Sequence, residues 1–82
     1  MRAMSVSSCE NYLKDLGFLI KQEALEAKSR RALARASERD FCDGRLMAYN
    51  EVLSLMKSQA IAFQIDQSVI GLNDFDPDAE LN

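Results

Sequence analysis

The most regular apolar pattern in the chain runs from residue 41 to residue 65. One row of side chains recurs at alternating spacings of four and three residues: Cys42, Leu46, Tyr49, Leu53, Met56, Ala60 and Phe63. This spacing predicts a helix that lays one seam against another helix. A second row runs beside it: Ala48, Val52, Leu55 and Ala62. Two adjacent rows are wider than one neighbouring helix covers, so the pattern predicts burial on two sides.

The first part of the chain predicts another helix, from about Ser8 to about Ala36. Its first half carries a broad apolar face: Cys9, Tyr12, Leu13, Leu16, Leu19 and Ile20. After Ile20 this face thins to alanines, which favour a helix but bury little area. Gly17 lies on the apolar face, where glycine costs about 1 kcal/mol relative to alanine. Its presence there favours a close approach by another helix.

The two apolar patterns are displaced by two heptad positions, which is about 200° around a helix. One straight helix would present them on nearly opposite faces, so we expect a turn between about Arg35 and Asp43. Ser37 and Asp40 resemble a capping box, and Asp43-Gly44 is the alternative turn. An antiparallel hairpin with this turn places four pairs opposite each other: Leu13 with Phe63, Leu16 with Ala60, Ile20 with Met56, and Ala27 with Tyr49.

The predicted fold class is all-α. Residues 1–65 form an antiparallel two-helix hairpin, which dimerises into a four-helix bundle because the second apolar row has no intrachain helix to cover it. The predicted dimer or core seam consists of Leu46, Tyr49, Val52, Leu53, Leu55, Met56 and Phe63. Docking of Ile70, Leu72 and Phe75 over the second row is the monomeric alternative.

Residues 66–82 are predicted to form a short turn ended by Gly71, then an acidic and mostly irregular tail that packs on the bundle or trails from it. This stretch holds five acidic residues and no basic one. Four of them alternate in a way that resembles a calcium loop: Asp74, Asp76, Asp78 and Glu80. The sixth loop position is Ala79 where such loops need glycine, so we expect no metal here.

Composition excludes several functional classes. The chain has a formal net charge of −3 and no histidine, so the commonest general base and metal ligand are missing. Two cysteines, Cys9 and Cys42, are too few for a zinc site, and a hairpin places them too far apart for a disulfide. We therefore expect no enzyme, no metal and no cofactor. With no signal-peptide pattern and no apolar run of about 18 residues, we expect a cytoplasmic protein that does not bind membranes.

A basic stripe is the candidate partner-binding site. It consists of Lys28, Arg31, Arg35 and Arg39, at spacings of three, four and four residues. Three interpretations remain open: a solvated helix face, a site for an acidic partner (another protein or the chain's own tail), and a site for a nucleic-acid backbone. Overall acidity and the lack of interleaved aromatic residues count against nucleic acid.

The predicted function is that of a small non-catalytic protein-interaction module that acts as a helical homodimer and binds an acidic protein surface. Immunity proteins, antitoxins and adaptors are analogous in size and composition. The alternative is a hairpin dimer that binds an RNA or DNA backbone through the stripe from Lys28 to Arg39.

Overall fold

Two long helices dominate the chain, as the apolar pattern predicts. The computed structural model describes residues 6–81, and in it α1 (Val6–Ala32) packs against α2 (Arg39–Ala62). Three short elements complete the fold: the 3-10 helices η1 (Ala36–Glu38) and η2 (Gln67–Ile70), and the one-turn helix α3 (Pro77–Glu80). The residues from 6 to 81 contain no strand. The predicted all-α helical hairpin is therefore confirmed.

The first helix ends earlier than its sequence suggests. It stops at Ala32 rather than near Ala36. The N–H groups of Leu33 and Ala34 donate to carbonyls three residues back, each at 3.1 Å, which tightens the last turn. Arg35 is then extended, with φ −69° and ψ 158°. The turn is built without glycine or proline, which is why the sequence gives no local signal for its start.

The second helix begins without a side-chain cap. Its N-cap residue is Glu38, and no side chain there makes a capping hydrogen bond. The predicted capping box between Ser37 and Asp40 is therefore wrong. Asp43-Gly44, the alternative turn, lies inside α2.

The end of α2 is a Schellman motif. The N–H of Ile65 donates to the carbonyl of Ala60 at 2.7 Å, and the N–H of Gln64 donates to the carbonyl of Ile61 at 3.0 Å. Gln64 has a φ of 58°, the left-handed conformation that this motif requires and that glycine adopts more readily. Phe63, predicted as the last member of the helical seam, is the C-cap residue and is exposed.

The core runs along the contact between the helices. Its buried apolar residues are Ala24, Ala27, Leu46, Leu53, Ala60, Ile70, Leu72, Phe75 and Leu81. Ile20, Tyr49 and Met56 are partly buried and pack against it. Of the pairs predicted to face each other, Ile20 with Met56 and Ala27 with Tyr49 lie in or against this core. Leu13 and Phe63 are both exposed.

Residues 66–81, here called the C-terminal segment, supply four of those nine core side chains. Full burial of a large apolar side chain contributes about 1.5–3 kcal/mol, so Leu72 and Phe75 stabilise the fold substantially. The segment crosses α1 at Gly17, where an added Cβ would lie 1.8 Å from the carbonyl oxygen of Ile70. This contact explains the glycine in the apolar face of α1: the close approach is to the C-terminal segment.

The other glycine at this crossing is Gly71. It ends η2 with a φ of 72°, and a Cβ there would lie 2.6 Å from the carbonyl oxygen of Lys14. Two glycines thus allow two backbones to touch without intervening side chains.

Asp66 caps η2, and its removal is expected to lower stability in a pH-dependent way. Its carboxylate accepts hydrogen bonds from the backbone N–H of Ser68 at 2.9 Å and from the Ser68 hydroxyl at 2.8 Å. These bonds, the backbone one first, lower the pKa of Asp66 below its usual value. The stabilisation is thus present above the unfolded-state pKa, about 3.9, and is lost as the pH falls through the lower folded-state pKa.

Urea unfolding of the wild type and Asp66→Ala at pH 7 and near pH 2 tests this expectation. The variant should have the lower urea midpoint at pH 7, and the difference between the midpoints of the two proteins should be smaller near pH 2. A difference of the same size at both pH values would contradict the role of the carboxylate charge.

Candidate functional site

One side of the hairpin is apolar and uncovered, and we call it the bare face. It is defined by six residues: Tyr12, Leu16 and Leu19 of α1, Val52 and Leu55 of α2, and Phe63 just after α2. Leu16 is half-buried and the other five are exposed, with Leu55 64% accessible. Half-buried Met56, next to Leu55 in the chain, packs against the core instead.

The bare face lies opposite the C-terminal segment. Residues two apart on a helix point about 160° away from each other. Leu19 is two residues from Gly17 and from Lys21, both of which contact the segment. On α2, Val52 is two residues from Asn50, whose amide donates to Asp78 at 3.2 Å. The segment therefore covers one side of both helices and leaves the other side open.

The monomeric alternative raised by the sequence is not how the segment docks. Covering the second apolar row would require Ile70, Leu72 and Phe75 to lie over Val52 and Leu55. Lys57, two residues beyond Leu55, instead donates to the carbonyls of Leu72 and Phe75, so these two residues dock on the other side of α2. Val52 and Leu55 stay exposed as a result.

The predicted seam residues thus separate into two groups. Leu46 and Leu53 are buried in the core, and Tyr49 and Met56 are half-buried beside it. Val52, Leu55 and Phe63 lie on the bare face.

The amount of exposed surface is large for this mass. A compact monomer of 9.2 kDa exposes about 4,900 Å². This chain exposes 6135 Å², an excess of about 1,200 Å² over that expectation. The radius of gyration, 14.9 Å, likewise exceeds the roughly 12 Å expected for a compact domain of this length. The hairpin is elongated, and it exposes more surface than a compact domain of its mass.

The basic stripe does not form one uniform surface. Lys28 donates to the backbone carbonyl of Glu80 at 2.6 Å, and Arg31 pairs with Asp43 of α2. Arg35 and Arg39 are exposed, on either side of η1. Two stripe residues therefore hold the fold together, while two reach into solvent at the turn.

A cleft of about 680 Å³ opens beside the stripe. It lies between the last turns of α1 and the first half of α2, next to the end of the C-terminal segment. Its apolar lining comes from Ala32, Leu46, Met47 and Leu81, and its polar lining from Lys28, Arg31, Asp43, Asn50 and Glu51. This volume lies in the range of ligand sites, about 300–1,000 Å³.

Sequence reasoning missed this cleft. It predicted that the tail packs on the bundle or trails from it, but not that the docked segment forms one edge of a cleft. The helical spacing of Lys28 and Arg31 gave the stripe, but Asp43 and Leu81 come next to it only through tertiary packing. Leu81 in particular gave no local signal, because it follows an acidic stretch that contains a proline.

Residues 6–81 contain no group of three or more Cys, Asp or Glu side chains placed to hold a metal ion. Both cysteines are free; Cys9 is exposed and Cys42 is half-buried. None of the helices described is long and apolar enough to cross a membrane.

Comparison of the chain with protein-family models, curated proteins and solved structures gave no match.

Proposed function

We propose that this protein is a non-catalytic protein-interaction module that works as a homodimer, with the bare faces of two copies packed together as a four-helix bundle. The observation that carries the proposal is the bare face itself, where six apolar residues of α1, α2 and the end of α2 lie on the side of the hairpin that the C-terminal segment leaves uncovered. Monomeric proteins seldom expose apolar patches larger than a few hundred Å², and larger ones mark interaction sites.

A second copy is the occupant that this surface fits best. A stable interface buries about 800 Å² on each partner, and the bare face offers apolar side chains from both arms of the hairpin from which to build one. The face also spans both helices of a hairpin, and two hairpins packed through such faces make a four-helix bundle. The same patch then serves both subunits under two-fold symmetry.

A nucleic-acid backbone is the weaker choice of partner. Lys28 and Arg31 already have acceptors within the chain, and Asp43 and Glu51 beside them would repel phosphates. Affinity for nucleic acid grows with the number of phosphates neutralised, and this arrangement offers few.

Leu55→Glu is expected to convert the dimer to a monomer without unfolding the hairpin. Leu55 is exposed within one chain, so a carboxylate there is hydrated in the monomer, whereas in the dimer it would be buried unpaired. We expect the dimer dissociation constant to rise by about 100-fold, measured by size-exclusion chromatography with light scattering.

Leu33→Glu is the matched control. Leu33 is 87% exposed in the turn and is not one of the six residues of the bare face, and it receives the same charge change. It should leave the dimer intact. If both variants have the mass of the wild type, or if both lose the dimer equally, the bare face is not the interface.

A further inference from the structure

Both helical rows of the bare face continue towards the turn at spacings of three and four residues, and there they become mostly charged. The members of this turn half are Glu23, Glu26 and Arg30 on α1, and Ala48, Arg45 and Phe41 on α2. Arg45 is half-buried, and the others are exposed. The rows are uncharged towards the open end, where α1 begins and α2 ends: Cys9, Tyr12, Leu16, Leu19, Val52, Leu55, Gln59 and Ala62. The bare face is therefore confined to this open half.

Contacts within the hairpin show which residues of the two helices lie at the same level along its axis. Arg31 of α1 pairs with Asp43 of α2, and the two helices of the hairpin run in opposite directions. Arg45 follows Asp43 by two residues, so at about 1.5 Å per residue it lies at nearly the same level as Arg30. The same count gives two further level pairs: Val52 with Glu23, and Gln59 with Leu16.

Two-fold symmetry allows two senses of packing, and the parallel sense is unfavourable here. An axis along the helices makes each level face the same level of the second copy, with α1 against the second copy's α2. Arg30 would then face Arg45 of the partner subunit, and this like-charge contact would occur twice in the dimer. Glu23 would lie against Val52 of the partner subunit, where a carboxylate loses water without gaining a partner. The charged turn halves cannot separate in this sense, because the axis fixes the level.

An axis across the helices makes the copies antiparallel and allows the overlap to be limited to the open halves. Each helix then faces its own counterpart in the second copy. With the axis at Leu16, this residue faces Leu16 of the partner subunit, and Tyr12 faces Leu19 of the partner subunit. On α2 the same axis brings Leu55 opposite Phe63 of the partner subunit. Large apolar side chains therefore face one another on both helices.

The charged residues fall outside this antiparallel overlap. At about 1.5 Å per residue, Arg30 and Arg45 lie about 20 Å from the axis, so the two sets of arginines are about 40 Å apart in the dimer. Glu23 lies nearest to the overlap, at its rim, level with Cys9 of the partner subunit. The charged turn halves therefore stay hydrated.

We infer that the homodimer is antiparallel, with the open halves overlapped and the two turns at opposite extremities. This inference rests on the proposed homodimer and adds its sense of packing. The two turns lie about 60 Å apart, and each presents the exposed side chains of Arg35 and Arg39. The dimer thus offers two well-separated copies of the turn to its partners.

Nitroxide spin labels at two positions of the full chain measure the sense, with both native cysteines replaced by serine so that one labelling site remains. Leu33→Cys carries the label in the turn, where Leu33 is 87% exposed, and Ser58→Cys carries it at an exposed position near the level of the axis. In the antiparallel dimer, double electron–electron resonance should give about 50 Å between the Leu33 labels and less than about 30 Å between the Ser58 labels. Distances of about 30 Å or less at both positions would overturn the antiparallel sense but keep the homodimer.

Leu55→Glu in each labelled chain is the control, and it should abolish both distances because it removes the dimer. If the chain labelled at Ser58 gives no distance even without this substitution, there is no homodimer. The proposed function would then fail together with the inference.

The dimer dissociation constants of two charge variants give an independent test by sedimentation equilibrium. Arg45→Glu should leave the constant within about two-fold of the wild type, because Arg45 lies outside the antiparallel overlap. Gln59→Glu sets two carboxylates opposite each other at the axis and should raise the constant by at least about 10-fold. In a parallel dimer Arg45→Glu would place a carboxylate opposite Arg30 of the partner subunit. Tighter association of Arg45→Glu by about five-fold or more would therefore contradict the antiparallel sense.

Discussion

Gly17→Ala is expected to destabilise the protein by about 2–4 kcal/mol, although alanine is the better helix former. Alanine in place of glycine inside a helix normally contributes about 1 kcal/mol. At this position the new Cβ would lie 1.8 Å from the carbonyl oxygen of Ile70, a backbone atom that cannot rotate away. The C-terminal segment must shift, and the burial of Ile70 and Leu72 is then lost in part. Urea unfolding followed by circular dichroism measures the change.

Gly44→Ala is the matched control for this substitution. Gly44 lies inside α2, and the described residues place nothing within 4 Å of a Cβ built there. The same chemical change should therefore stabilise the protein, by about 1 kcal/mol. If two glycine-to-alanine substitutions change the stability in opposite directions, helix propensity cannot explain both. If Gly17→Ala also stabilises, the close crossing of α1 and the C-terminal segment is wrong.

Leu53→Ala is expected to cost about 2–5 kcal/mol of unfolding free energy. Leu53 is 0% exposed and lies midway along α2, in the core that α2 forms with α1 and the C-terminal segment. Truncation removes buried methyl groups and leaves a cavity that surrounding side chains fill only partly. The measurement is the urea midpoint at one fixed protein concentration, because association of two copies adds to apparent stability.

Leu33→Ala provides the comparison for Leu53→Ala. It makes the same truncation at an exposed residue of the turn and should change stability by less than about 0.5 kcal/mol. If the urea midpoint of Leu53→Ala lies as close to that of the wild type as the midpoint of Leu33→Ala does, the core does not run through Leu53.

The helix pairing was predictable because periodic apolar residues report directly on burial. The alternating spacing around Leu53 gave α2 and its seam, and Leu46 and Leu53 are buried. The second apolar row, which includes Val52 and Leu55, predicted a surface that no helix of the same hairpin covers. Both residues are exposed. In both cases the signal is local and repeats over several turns of one helix.

The helix ends and the C-terminal segment were less predictable because their causes lie elsewhere in the chain. The left-handed residue that ends α2 is Gln64, where local rules lead one to look for glycine. The sequence predicted a short turn ended by Gly71, where η2 ends, but the position of the segment depends on Gly17 and Lys57, both distant in sequence. Single-sequence patterns do not reveal such pairings. The cleft was missed for the same reason, since the docked segment forms its edge.

With the bare face uncovered, a single hairpin has only a small core to stabilise it. The core is narrow, with alanines at Ala24, Ala27 and Ala60 where helices of this length often carry larger residues. A domain of about 80 residues has little stability to spare. Burial of the bare face against a second copy would add to it, so the dimer and the fold are expected to be coupled.

Sedimentation equilibrium of the unmodified chain tests the proposed homodimer most directly. At concentrations from about 1 to 100 µM, the weight-average mass should rise from near 9.2 kDa towards twice that value, with a dissociation constant of tens of micromolar. Leu55→Glu run beside it should stay near 9.2 kDa throughout. A wild-type mass that stays at 9.2 kDa across the whole range would contradict the account, because the bare face would then remain exposed in solution.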